Sequence, residues 1–135
     1  MVTLAPTNPD LHRLAERMGV RLHRHTGGVK GWYSDSLRVI STRRGLTIAE
    51  YRTTLAHELG HAHHRDTPRD GHYSARQEAR AWRYAADLLL TEHEVRDALL
   101  WHDHHRSPAA YDLEVTRHLL DFWLSIYERN TPCPT

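Results

Sequence analysis

Hydrophobic residues recur along the chain with two different periods, and each change of period marks an element boundary. Leu11, Leu14, Ala15 and Met18 follow helical spacing. Asn8 stands where an N-cap is expected, Pro9 at the first helical position and Gly19 at the stop. From Val20 the period shortens to two. Residues 20–24 alternate, Gly27-Gly28 turns the chain, residues 29–33 read as a second strand, and residues 37–41 follow the Asp35-Ser36 turn as a third. The expectation is a small antiparallel sheet of about three strands.

Helical spacing then returns. Thr47 and Glu50 form a capping box, in which each side chain satisfies the other residue's free backbone amide. The helix it opens runs to residue 64 or 65, with Ile48, Tyr51, Leu55, Leu59 and Ala62 on an apolar stripe. A loop spans residues 66–72. Ser74 and Gln77 form a second box, opening a helix to about residue 90 with Ala79, Trp82, Ala85, Ala86, Leu88 and Leu89 on its apolar face. Thr91 caps a third helix carrying Val95, Ala98 and Leu99, and Ser107-Pro108 starts a short helical turn through Leu113. Thr116 caps a last helix with Leu119, Leu120, Trp123, Leu124 and Tyr127 inward. The pattern is α+β, a small sheet packed on a helical bundle. It reads as a single domain over residues 1–135, with its core at 10–129 and a flexible tail at 130–135.

Composition narrows the classes. With 135 residues, 39% of them hydrophobic, the chain can build a core without disulfides. Mean hydropathy is −0.69, and no apolar run approaches a membrane span. No basic-then-apolar leader is visible, so a cytoplasmic protein is expected. Cys133 is the only cysteine, which excludes an internal disulfide and a thiolate zinc cluster. Net charge is +1 with basic residues dispersed among acidic ones, not the footprint of a nucleic-acid binder. Residues 110–123 have some flavour of a helix-turn-helix, but Asp112, Glu114 and Asp121 there would repel phosphate.

The histidines change the picture. There are thirteen, and five of the ten residues 55–64 are His or Glu, as Leu-Ala-His-Glu-Leu-Gly-His-Ala-His-His. Such a composition can produce His-Glu-x-x-His by accident, so the helix under it carries the meaning. Residues four apart share one face, and His57 and His61 can therefore aim at one point, half of a tetrahedral zinc site. Glu58, one position off, can reach a water without ligating the metal. Glu78 is the expected third ligand, near the start of the next helix and among small alanines that permit close helix packing; Asp66, Asp70 and Asp87 are weaker rivals. An oxyanion would need a further donor, for which Tyr73, His72 and His64 are candidates. The strand at 37–41 could offer an edge to an extended peptide. His23 and His25 read as solvated strand or turn residues, His63 as surface, and His102, His104 and His105 as an exposed loop rather than a second metal site.

Thr54-Leu55-Ala56-His57-Glu58-Leu59-Gly60-His61, followed after a short loop by Glu78-Ala79-Arg80-Ala81-Trp82-Arg83-Tyr84-Ala85-Ala86-Asp87-Leu88-Leu89, resembles the ImmA/IrrE family of metallopeptidases. The likeness extends to the preceding sheet and to residues 110–116, covering positions 10–125. It implies a zincin-like minimal metallopeptidase domain with Zn2+ held by His57, His61 and Glu78, and Glu58 as general base. Members of that family act against repressors in phages and mobile elements, or cleave a regulator in bacterial stress responses. The resemblance therefore implies a narrow endopeptidase directed at a transcriptional repressor in a bacterial cytoplasm, an anti-repressor. A rival of another class is a module of this fold that captures a repressor without cutting it. Thr91 stands where the family often has proline, and Trp82 replaces a usually polar residue. No DNA-binding or sensor segment is appended, so a stand-alone catalytic unit is expected.

Overall fold

A computed structural model of the chain describes residues 9–130, with side chains as far as Tyr127. Its elements run α1 (Leu11–Arg17), β1 (Arg21–His25), β2 (Gly31–Ser34), β3 (Val39–Arg43), α2 (Ile48–His63), α3 (Ala75–Leu89), α4 (Glu92–Trp101), α5 (Arg106–Asp112) and α6 (Arg117–Asn130). The α+β class follows the two periods in the sequence. Asn8, Cys133 and the tail beyond residue 130 lie outside the described residues. Helix α1 takes Asp10 as its N-cap, the carboxylate accepting from the Arg13 amide at 3.0 Å, so Pro9 precedes the cap rather than following it.

The sheet is mixed, not antiparallel. Its order is β1-β3-β2, with β1 parallel to β3 and β2 antiparallel to it. The reason is nonlocal. Gly27 and Gly28, both at positive φ, do not close a hairpin between neighbours; the last strand inserts between the first two, as the bonds Arg44 N–H to His25 C=O and Arg43 N–H to Lys30 C=O (both 2.8 Å) show. Val39, Ile40, Ser41 and Thr42 are all buried, the signature of a central strand covered on both faces. Being paired on both sides, β3 cannot lend its backbone to a peptide, which removes the edge expected at residues 37–41. The strand edges belong to β1 and β2.

Both capping boxes form. Thr47 Oγ1 accepts from the Glu50 amide at 3.1 Å while Glu50 returns a 3.0 Å bond, and Ser74 with Gln77 does the same at 3.1 and 2.9 Å. Helix α2 packs against β2 and β3 on one side and against α1 and α3 elsewhere, while α6 covers α3. Leu55, Leu59, Ile40, Leu119 and Leu120 form the fully buried centre. Two stripe positions differ from expectation: Ile48 is 66% exposed and Ala79 is exposed, with Ala81 taking the buried place. Trp101, at 83% exposure, lies outside the core.

Helices α2 and α3 meet at Gly60. A Cβ there would stand 2.8 Å from the Ala81 carbonyl and 2.9 Å from its Cα, so only glycine lets the two backbones come this close. That approach fixes the distance between the α2 residues His57 and His61 and the α3 residue Glu78.

Candidate metal centre

His57 and His61, one helical turn apart, have ring centroids 4.8 Å apart at 88° to each other. Both turn Nε2 toward the same carboxylate atom, Glu78 Oε1, at 3.4 Å for His57 and 2.7 Å for His61. These are lone-pair atoms facing one another, an arrangement that needs a proton or a cation between them. Glu58 joins from beneath: one ligand atom each from His57, Glu58 and His61 lies within 4.8 Å of the others. Two imidazole nitrogens with carboxylate oxygen form a donor set that suits zinc among other divalent metals.

Burial sets the charge states. His57 is held neutral, its pKa lowered to about 3 by loss of solvent and then by the neighbouring His61 and His118. Glu58 is pushed up to about 8, by burial and then by the Glu78 carboxylate. Glu58 is only 5% exposed, and its Oε2, like Nδ1 of His57, is buried with no hydrogen-bond partner. Unpartnered buried polar atoms are costly and rare, and here both sit at one small site. The residues fit a bound cation: it would sit among the lone pairs of His57 Nε2, His61 Nε2 and Glu78 Oε1 that face one another and offset the repulsion between Glu58 and Glu78.

Aromatic rings hold the histidines. Trp82, one turn beyond Glu78, lies 4.1 Å from the His57 ring, and Tyr73 stacks on His61 at 3.7 Å and 12°. Above them opens a cleft of about 540 Å³, walled by Trp82, Tyr73 and the start of β2. Gly31 brings that strand against α2, since a Cβ would stand 2.5 Å from Thr54 Cγ2 and 3.4 Å from Glu58 Cγ.

Of the three candidate donors, only Tyr73 lines the cleft over the histidines, and it also borders the groove that His72 lines. Tyr73 is in the cleft, its hydroxyl 3.4 Å from the Tyr33 carbonyl and its pKa raised by burial and nearby carboxylates, so it stays a proton donor. His64 lines a different groove with Arg76 and Tyr84, and exposed His72 lines another with Thr67 and Gln77. Asp70 and Asp87 lie outside the cleft lining. Asp66, weighed in sequence as a rival ligand, sits instead on the other side of His61, its Oδ2 2.9 Å from Nδ1. Its signal, an acid five residues after a helical histidine across the helix end, is visible only once the end is known. His25 is a half-exposed residue at the end of β1, and beyond solvent it bonds Ser41 Oγ and the Val29 carbonyl, each at 2.7 Å. His102 bonds Asp112, and among the described residues the only group of three or more side chains able to hold a metal is the one on α2.

A small mixed sheet over a His-Glu-x-x-His helix, with an acidic residue delivered from the next helix, defines a zincin-like metallopeptidase fold. The family model of the IrrE N-terminal-like domain matches residues 12–125, and the chain belongs to this ImmA/IrrE metallopeptidase family. Neither a curated protein nor a solved structure matches it. No helix among the described residues is long and apolar enough to cross a membrane.

Proposed function

We propose that the chain is a zinc-dependent endopeptidase of narrow specificity, working in the cytoplasm, with its catalytic domain at about residues 10–129. The observation that carries this is the convergence of His57 Nε2 and His61 Nε2 on Glu78 Oε1 beside a buried, partnerless Glu58 carboxyl. His57, His61 and Glu78 would hold the ion. Glu78, 43% exposed at the cleft mouth, suits a ligand better than Glu58, whose unsatisfied oxygen is placed to take a proton. Bound zinc supplies Lewis acidity, polarising the scissile carbonyl and making water a nucleophile near neutral pH.

The chain's own residues do the rest. A cation beside it would lower the pKa that burial raises, leaving Glu58 Oε2 to accept the attacking water's proton and return it to the leaving amine. Tyr73 donates from the cleft wall to the oxygen on which charge develops. The free edge of β2, which Gly31 sets beside Glu58, can pair with an extended peptide and present its backbone to these groups. Family membership supports a protein substrate, and the known behaviour of this family favours a transcriptional repressor, giving the chain an anti-repressor role.

Glu58→Gln tests the reading, because it preserves shape and the three proposed ligands while removing the base. The variant is expected to hold about one equivalent of zinc and to lose roughly 10²-fold or more of peptide cleavage. Full biological activity in Glu58→Gln would overturn catalysis and leave capture of the repressor as the function.

A further inference from the structure

Asp66 owes its position to the way α2 ends. The Asp66 N–H bonds the His61 carbonyl at 2.9 Å and the Arg65 N–H bonds that of Ala62 at 3.2 Å, with Arg65 in the left-handed region at φ 55°. This paired bonding is a Schellman stop, which folds the residue two beyond the cap back over the helix's last turn. Asp66 thereby returns to the residue its backbone already holds. Its side chain is 2% exposed and that of His61 fully buried, with Oδ2 2.9 Å from Nδ1. The other oxygen, Oδ1, accepts from Nη2 of Arg80, one turn and a half along α3, at 2.9 Å.

We infer that Asp66 and Arg80 form a positioning relay that dictates which nitrogen of His61 faces the cleft with a free lone pair. The inference rests on the metal reading above and deepens it. A carboxylate only accepts, and one faces each ring nitrogen of His61, Asp66 at Nδ1 and Glu78 at Nε2; once an ion sits between Nε2 and Glu78, the ring proton lies on Nδ1 and is donated to Asp66. Nε2, on the Glu78 side, is then the atom left to ligate. Arg80 makes the arrangement directional. It only donates, and so it requires an acceptor at the Oδ1 position.

The asymmetry has a consequence for the isosteric change Asp66→Asn. Arg80 would hold the amide oxygen toward itself and turn the amide NH2 toward His61. An NH2 donates to Nδ1, which moves the imidazole proton to Nε2 and blocks the ligating atom. Removing Arg80 as well frees the amide to rotate, so its oxygen can again accept from Nδ1. A purely structural role for Asp66 gives no such recovery, since Arg80, with its side chain 42% exposed, is solvated without Asp66 and its removal then restores nothing.

The experiment measures zinc affinity by chelator competition for the full chain and for Asp66→Asn, Arg80→Met and the double variant, with melting of each metal-free protein as a folding control. Asp66→Asn is expected to weaken zinc roughly 10- to 100-fold, as loss of an orienting partner does elsewhere. Arg80→Met should cost far less, and the double variant should bind more tightly than Asp66→Asn alone. A double variant no tighter than Asp66→Asn, or an Asp66→Asn protein with unchanged affinity, overturns the relay. A second measurement needs no variant: in the zinc-loaded wild-type chain with nitrogen-labelled histidine, His61 should show a protected Nδ1–H shifted downfield by its carboxylate acceptor. A proton on Nε2 instead overturns the relay. If wild type binds zinc no better than His57→Ala, the metal reading itself falls, a result distinct from either of these.

Discussion

His57 and Glu58 are neighbours in the chain, and burial acts on them in opposite senses. His57 falls from an ordinary 6.5 to about 3, so the folded chain resists the proton that the unfolded chain binds between those values, and stability is lost as pH falls through that window. Glu58 rises from an ordinary 4.5 to about 8, so the folded chain keeps a proton that the unfolded chain releases, and stability is lost as pH rises through that window. The windows overlap between 4.5 and 6.5, where the slopes cancel. Metal-free protein should therefore be most stable there and weaken on either side. Asp35 and Glu50, whose carboxyls are held low by Arg65 and by the Thr47 amide, steepen the acid side further. Glu58 dominates the alkaline side up to about pH 8, and Glu58→Gln should flatten it. Denaturant midpoints of chelator-treated protein across pH 4 to 8.5 check this; a wild-type midpoint still rising from pH 6.5 to 8 would show that Glu58 is not buried as an acid. At this scale His57, Glu58 and His61 were legible in the sequence, because their geometry depends only on helical spacing and a local cap. Asp66 was not, because its place depends on a helix stop at Arg65, a non-glycine in the left-handed region that composition does not announce.

Elements carry the site through close approach rather than through ligand chemistry alone. Gly60 lets α2 and α3 touch, and Glu78 reaches the histidines only because of it. Alanine at this position gains about 1 kcal/mol of helix propensity but meets backbone atoms of Ala81 at 2.8 and 2.9 Å and Tyr84 Cβ at 3.1 Å. Backbone cannot swing aside as a long side chain can, and such overpacking costs about 1–3 kcal/mol. Overpacking wins, so Gly60→Ala should be destabilised by about 1 kcal/mol and should bind zinc more weakly, because α3 and Glu78 are pushed outward. Chemical denaturation and zinc competition on one preparation decide it; a stabilised variant with unaltered affinity would mean that α3 is free to shift. Helix positions were readable because the Thr47–Glu50 and Ser74–Gln77 boxes are local signals. Strand order was not. Gly27-Gly28 has the composition of a hairpin turn, while the insertion of β3 is set by burial of Ile40 in the core that Leu55 and Leu59 of α2 share, a contact between distant parts of the chain.

For the whole molecule, zinc would join two helices whose cores are already complete. Leu55, Leu59 and Ala85 are fully buried without help from the site, and both helices start on satisfied caps. Metal removal should therefore leave a folded protein, unlike small zinc modules that unfold when stripped. The ion still binds only the folded arrangement of His57, His61 and Glu78, so it adds stability by mass action, about 2.7 kcal/mol when free zinc is a hundred times the dissociation constant. For a chain of this length that corresponds to a rise in melting temperature on the order of 10 °C. The increment is expected in wild type, absent in His61→Ala, and strongly reduced in Glu78→Ala, while all three remain cooperative without metal. Amide exchange locates the effect: zinc should slow exchange in α2 and the first two turns of α3 and leave α4 and α5 unchanged, since α4 packs on α5 and α5 on α6, away from the cleft. A zinc-induced rise that survived in His61→Ala would place the stabilising ion elsewhere on this histidine-rich surface and separate metal binding from the cleft.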